Sequence, residues 1–509
     1  MFEFYVTLHK QHLWDILSGI RAQEKPNGKG VTDVKDTLKS VLDGIKRSVD
    51  YADVRLVNTR SQRLMVKNGS VDSISDSVSK GFGIRVIVDG CWGFSSSSLL
   101  SEEEAARVAR EAIEIAKATK ILKKTDVILS EEEPRVDKYR NKIAKDPFKV
   151  SMDEKIRLLL DADSLMRKNG AVKVSEASMH FEQVDKLFLS TEGADIEQTI
   201  TESGGGISAT TVGNGDVQKR SFPTSWGDTA TRGYELIQEL DLVGNAEKTA
   251  EEAAALLKAP ECPTGELDVI IGGSQLALQI HESCGHPTEL DRVFGTEASF
   301  AGTSFLTVEK MGNFKYGSEH VSIFQDATCE GGLGTFGYDD EGVPAQRTPV
   351  VEKGNFVGYL TSRETASRLN QRSNACMRAD GWNRIPLIRM TNINLEPGQW
   401  DYDELIKDTK DGILLDSNKS WSIDDKRLNF QFGTQIAWRI RNGKIEGIVK
   451  NAVYTGITPE FWASCDAVCG SKYWHIWGIP NCGKGEPMQV AHVAHGAAPA
   501  RFRKVKVGV

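Results

Sequence analysis

Long apolar runs are missing from this chain. No stretch approaches the roughly 20 apolar residues that a membrane-spanning helix needs. The opening segment, MFEFYVTLHKQHLWDILSGI, is broken by His9, Lys10, Gln11, His12 and Asp15. It therefore lacks the unbroken apolar core of a secretory signal. It reads as an amphipathic helix ending near Gly19, and the expected location is cytoplasmic.

Cysteine is sparse, with eight in 509 residues. Without an export signal, burial or metal binding is expected of them rather than a disulfide framework. An excess of basic residues is also missing. Lys and Arg total 63 against 71 Asp and Glu, a formal net charge of -8, which argues against nucleic acid as a direct partner. Gly331, Gly332 and Gly334 are not followed by the Lys-Ser/Thr of a phosphate loop. They leave room for an extended substrate backbone instead. No short-period repeat is present.

What remains is an ordinary globular composition, 39% hydrophobic and 26% charged, in a chain long enough for two or three cores. Residues 25–31 (KPNGKGV) read as a joint. Residues 61–98 show strand-like alternation with turns at Asn68-Gly69 and Asp89-Gly90, an antiparallel meander. Ser101 with Glu104, and Ser151 with Glu154, are capping-box patterns that open helices to about Lys120 and to Asn169-Gly170. Two strand-like segments around a turn at Glu192-Gly193 precede a helix over 243–258. ECPTGE at 261–266 marks a boundary. Beyond it come a strand (DVIIGG), a helix (GSQLALQIHESCGH), and hairpins around Lys353-Gly354 and Asn442-Gly443. Helices and strands fall in blocks, so the fold class is α+β rather than a doubly wound parallel sheet. The expected division is a helical extension at 1–27, an amino-terminal α+β domain with an antiparallel sheet at 28–260, and a larger β-rich carboxy-terminal domain at 261–509 carrying the metal-site helix.

The sharpest motif is His281-Glu282-Ser283-Cys284-Gly285-His286. Neutral imidazoles bind Zn2+, and a carboxylate beside the first can reach a metal-bound water as acid/base. Only nine histidines are present, so the clustering is informative. The alternative is two unrelated histidines at a helix end. The spacing is one residue longer than the usual HExxH. At about 100° per residue it puts the rings roughly 140° apart on an ideal helix. The last turn must therefore be distorted. Gly285, the bias of Pro287 against α geometry at His286, or a π-bulge could each do this.

A catalytic zinc usually takes a third protein ligand. Cys482, Cys465, Cys469, Cys284, His492 and His495 are candidates. Cys465 and Cys469 have a metal-like spacing but equally suit burial. Cys482 lies in Pro480-Asn481-Cys482-Gly483-Lys484-Gly485, read as an exposed, tightly turned loop in which Lys484 favours the thiolate.

Several segments together resemble the TldD/PmbA peptidases, the modulators of DNA gyrase, and most closely the TldD branch. They are HESCGHPTELDR, GTFGYDDEGVPAQRT, VEKGNFVGYLTSRETA and PNCGKGEPMQVAHVAHGAAPARF, with GFGIRVIVDGCWGFSSSS near the amino terminus. The resemblance spans about residues 30–508 and leaves 1–27 unmatched. It implies zinc on His281, His286 and Cys482, with Glu282 catalytic, and cleavage of peptides or unstructured polypeptides. It also implies a dimer, with itself or with a related subunit.

Tyr338 and Asp339, in an acidic turn flanked by glycines, are candidate substrate-binding residues; the turn could equally serve only the backbone. His492 or His495 could support the metal or an oxyanion, against a plain surface or buried role. Trp462, Trp474 and Trp477 read as core or interface. Arg378, Arg384 and Arg389 read as surface-paired, or one of them as a carboxylate clamp. A dipeptidyl-peptidase fits less well, because no glutamate-rich helix follows residue 286. The rival reading from another class is a non-catalytic zinc adaptor that binds a client such as DNA gyrase, with Cys465 or Cys469 closing the coordination shell.

Overall fold

A computed structural model describes residues 31–213, 215–299 and 302–508. The expected helix ending near Gly19 lies outside these residues. The expected joint at 25–31 does too, except for Val31, which already opens helix α1 (Val31–Ile45). The chain is α+β, as its blocked pattern predicts.

The amino-terminal meander is β1 (Tyr51–Lys67), β2 (Ser70–Val88) and β3 (Cys91–Ser97). Its turns are the expected ones. Asn68 and Gly69 have φ of 49° and 85°, and Asp89 and Gly90 have 50° and 70°. Two consecutive left-handed residues match the right-handed twist of a tight hairpin. β1 starts earlier than its alternation suggests, because Tyr51–Val57 is buried throughout. Its charged members are paired: the Arg85 guanidinium donates to Asp53 at 2.6 Å.

Strand β4 (Val136–Arg140) runs parallel to one end of β6 (Asp195–Gly213). β5 (Val172–Ser190) joins β1 to β6, and β7 (Asp216–Phe222) and β8 (Asp228–Ala230) extend the far edge of β6. Among the described residues this is one eight-stranded sheet. β5 alternates buried and partly exposed residues along Val174–Phe181, the period-2 signature of a sheet with one face on a core. Helix α2 (Glu102–Thr119) lays Ala105, Ala109, Ala112 and Ala116 on the sheet. Helices α3 (Met152–Arg167) and α4 (Ala246–Leu256) build a second core with β5 and β6. The Ser101 and Ser151 hydroxyls accept from the Glu104 and Glu154 amides, as the capping patterns predict.

The carboxy-terminal part is a closed ring of strands. β9 (Gly265–Ile271) pairs parallel with β10 (Asp411–Ile423), and β10 pairs antiparallel with β11 (Asn429–Arg441). The ring closes through Val453–Ile457 and Ala500–Val507 back to β9. Closure leaves no free edge among these five strands. Helix α5 (Gly273–Ile280) follows β9 directly and packs its apolar side into the largest core.

A two-stranded ribbon, β12 (His475–Lys484) with β13 (Gln489–Ala497), lies between the two parts. It docks against β8: the Gly478 amide donates to Asp228 at 3.1 Å. A Cβ at Gly478 would run into the Thr229 carbonyl. Ala491, Val493 and His495 project from one ribbon face and Val490 and His492 from the other, since side chains alternate along a strand. Among the described residues no helix is long and apolar enough to cross a membrane.

Candidate metal centre

Helix α5 does not continue as an α-helix through the motif. His281–Gly285 forms a π-helical turn, in which the His286 amide donates to the His281 carbonyl. An i to i+5 hydrogen bond stacks residue i+5 over residue i, as i+4 stacks in an α-helix. The five-residue spacing is thereby absorbed. The His281 and His286 ring centroids lie 4.8 Å apart and nearly perpendicular.

The other two sources of distortion act differently from expectation. His286 keeps right-handed helical dihedrals, φ -59° and ψ -44°, in spite of Pro287. Gly285 is also helical, φ -60° and ψ -64°. Its role is space, because a Cβ there would collide with the Met390 sulfur. The turn is fixed on both sides. Tyr316 Oη donates to the Ser283 carbonyl at 2.7 Å, Trp462 Nε1 donates to Ser283 Oγ at 2.9 Å, and Thr288 Oγ1 donates to the Cys284 and Gly285 carbonyls.

His281, His286 and Cys482 come together: one ligand atom from each lies within 4.8 Å of the others, and all three residues are buried. Cys482 is not in an exposed loop. It is 4% exposed, within β12 and opposite Ala491. Flanking Gly and Pro suggest a loop, but β13 pairs with this segment across a bulge between Ile479 and Cys482. Lys484 also departs from its expected role. Its ammonium is buried and donates to Asp291 at 2.7 Å and to the Ile388 carbonyl at 2.8 Å, not to the thiol. The cation beside the Cys482 backbone is Arg389, which donates to the Cys482 and Gln489 carbonyls. Arg389 is 1% exposed, so its expected surface pairing is replaced by bonds that hold the ribbon.

The donor set fits a metal ion on tautomer grounds. His495 Nδ1 lies 3.1 Å from the Ile393 carbonyl, an acceptor only, so that nitrogen carries the proton. His495 Nε2 is then an acceptor, and His281 Nδ1, 2.7 Å away, donates to it. His281 Nε2 is left bare. In the same way His286 Nδ1 donates to Glu289 at 2.9 Å, leaving Nε2, which lies 3.7 Å from Cys482 Sγ. Metal-binding imidazoles are commonly oriented by such partners. Glu289 is in turn held by Arg292 at 3.4 Å and Lys484 at 3.4 Å. Burial depresses the pKa of both imidazoles, that of His281 to about 4, so they are neutral and able to ligate. For Cys482, burial raises the thiol pKa. The Arg389 guanidinium works against this, and the net shift is below the usual value.

Glu282 lies beside His281, 6% exposed. Arg427 Nη1 donates to its Oε2 at 2.6 Å. Arg427 stands in the β10–β11 connection with φ of 64°, 145 residues from Glu282 along the chain. Sequence reasoning did not find it, and the one local signal, the turn at Asp424–Arg427, does not say where the side chain goes.

Tyr338 and Asp339 are not part of this group. Tyr338 Oη donates to Asp137 at 2.6 Å. Asp339 is buried and accepts from the Glu341, Val343 and Met377 amides. Both line a cavity of 310 Å3 that borders His492. Cys465 and Cys469 are buried, with burial pushing each thiol up to about 12. Trp462 is core and fully buried.

Two imidazoles and a thiol beside a carboxylate, on this β-rich scaffold, form a donor set that fits a metal-dependent hydrolase. The comparisons with known proteins agree. The family models for PmbA/TldA metallopeptidase domain 1, central domain and C-terminal domain match residues 52–116, 145–259 and 264–508. A metalloprotease of Methanocaldococcus jannaschii is 32% identical over 437 residues, 86% of this chain and 92% of that protein. One of Methanothermobacter thermautotrophicus is 31% identical over 473 residues, 93% of this chain and 98% of the relative. The crystal structure of TldE from Thermococcus kodakarensis shares the fold, with a TM-score of 0.73 at 18% identity, covering 93% of this chain and all of that one. The chain belongs to the TldD/PmbA family of metallopeptidases, hydrolases of peptide bonds.

Proposed function

We propose that the chain is a zinc-dependent peptidase that cuts peptides or unstructured polypeptides, with Glu282 as general acid/base. The observation that carries this reading is the convergence of His281, His286 and Cys482 beside Glu282. Two imidazole nitrogens and a thiolate suit Zn2+, with the fourth position open in catalytic sites. Zinc held there would supply Lewis acidity, polarising the scissile carbonyl and acidifying water.

The residues do the rest. Arg427 engages Oε2 of Glu282 and fixes the carboxylate's orientation, leaving Oε1 to take a proton from the attacking water. Glu282 then passes that proton to the leaving amine. His495 and Glu289 hold the two imidazoles in the tautomers that expose Nε2. The closed core beneath the π-helical turn keeps water from the back of the site. We place the enzyme in the cytoplasm, as a dimer with itself or a related subunit.

The adaptor reading needs a fourth protein ligand. Among the described residues none joins the group of three, and Cys465 instead pairs in the sheet opposite Phe502.

The test is Glu282→Gln, assayed on an unfolded peptide by mass spectrometry, with bound zinc measured on the same sample. Retained zinc with hydrolysis reduced by about 10²–10⁴-fold is expected. Cleavage at the unaltered rate refutes the role of Glu282.

A further inference from the structure

The ribbon face opposite Cys482 carries a second group with metal-ligand chemistry. Glu182 on β5 sits directly across from Glu202 on β6, and like charges so placed repel. His492 on β13 reaches them from the carboxy-terminal part. One ligand atom from each of the three lies within 4.8 Å of the others.

Only one of the two carboxylates is balanced. His492 Nδ1 lies 2.6 Å from Glu202. Among the described residues the Glu182 carboxylate makes no hydrogen bond or close ion pair, and His492 and Arg63 act on it only at longer range. Burial, with Glu202 beside it, pushes its carboxyl up to about 6. A half-buried acid facing a like charge, with no group bonded to it directly and a net upward shift in spite of His492 and Arg63, is a cost that a bound cation would relieve. The group also stands where two cavities meet. One of 310 Å3 and one of 380 Å3 are both lined by Glu182 and His492, which gives an ion a way in. Arg63 and Arg378 oppose a further positive charge here, and Asp380 favours one.

We propose that Glu182, Glu202 and His492 form a second divalent-metal site, separate from the His281, His286 and Cys482 centre. The site ties the amino-terminal sheet to the ribbon that carries Cys482. Glu202 holds His492 toward its charged form, so a metal ion would bind by displacing the ring proton and taking the freed lone pair, which an ammonium group could not use. Two carboxylates with one imidazole and no sulfur suit Mn2+. The first centre, with its thiolate, suits zinc. The site has no part in bond cleavage; its role is to set how firmly the ribbon is held against β5 and β6.

The test is titration of the full chain, its first centre loaded with zinc, with Mn2+ followed by the electron paramagnetic resonance signal of the free ion. One saturable equivalent is expected. Glu182→Gln should weaken it by about tenfold or more, with thermal melting showing an intact fold, since this side chain has no hydrogen bond to lose. The double variant His281→Ala/His286→Ala should keep it. No saturable Mn2+ in the unaltered protein overturns the proposal, and so does equal affinity in Glu182→Gln. Binding lost in the double variant but kept in Glu182→Gln places Mn2+ at the first centre and overturns it as well.

Discussion

His492 and His495 stand three residues apart on one strand and are driven in opposite directions. His495 faces the core. Burial, then the neighbouring His281, presses its pKa well below the usual value. His492 faces the sheet of the amino-terminal part. Burial lowers its pKa there too, but Glu202 outweighs this and the net shift is upward. The residue type is the same and burial acts on both; the neighbour's charge decides. The ribbon therefore has one face where neutral imidazoles and a thiol come together, and another where a carboxylate holds an imidazole toward its charged form.

That contrast can be broken most severely at the neutral face. Cys482→Ser or His286→Ala removes a proposed ligand. Bound zinc, measured by elemental analysis, should fall to background, and peptide cleavage should drop more than about a hundredfold. Glu289→Gln comes next. It keeps an acceptor for His286 but removes the charge, and zinc affinity measured by competition with a chelator should fall about 10–100-fold. His495→Ala should cost less, about tenfold, because water can take the place of the acceptor. His495→Gln should recover most of that loss, since its carbonyl can accept from His281 while its amide donates to Ile393. Equal losses in Ala and Gln would mean that His495 does not set the tautomer of His281.

The smallest effect sharpens the contrast through two buried lysines. Lys484 is enclosed by Asp291 and Glu289. Lys155 is also fully buried, but its partners are neutral: Gln62, the Pro147 carbonyl and the Phe181 ring. Burial lowers the Lys155 pKa from 10.5 to about 8. Between these values the unfolded chain binds more protons, so this group's contribution to stability rises with pH. Denaturant unfolding at pH 8 and 10.5 should show the native chain gaining about 1–2 kcal/mol relative to Lys155→Met. A difference that shrinks as pH rises would show that Lys155 is not held in a neutral environment.

Local chemistry was legible in the sequence. Asn-Gly and Asp-Gly dipeptides place the meander turns because both residues must be left-handed there, and Ser101 and Ser151 announce their helices because nearby amides need an acceptor. The HExxxH motif, with its need for a distorted turn, was also readable. What escaped depends on contacts distant in sequence. The π-helical turn was one of three options, and only its packing against Tyr316, Trp462 and Met390 separates them. Cys482 looks like a loop residue until β13 pairs with it. Arg427 reaches Glu282 through ring closure, which nothing local encodes. Lys484 reads as a partner of the Cys482 thiol and Arg389 as surface-paired, because burial of a charge depends on partners the local sequence does not reveal.

The most direct measurement is X-ray absorption at the zinc edge of the metal-loaded chain. A π-helical turn that brings two imidazoles to one ion beside a cysteine predicts one sulfur and two imidazole nitrogens bound to zinc, with a further light atom. A spectrum without sulfur, or with a single imidazole, would contradict it.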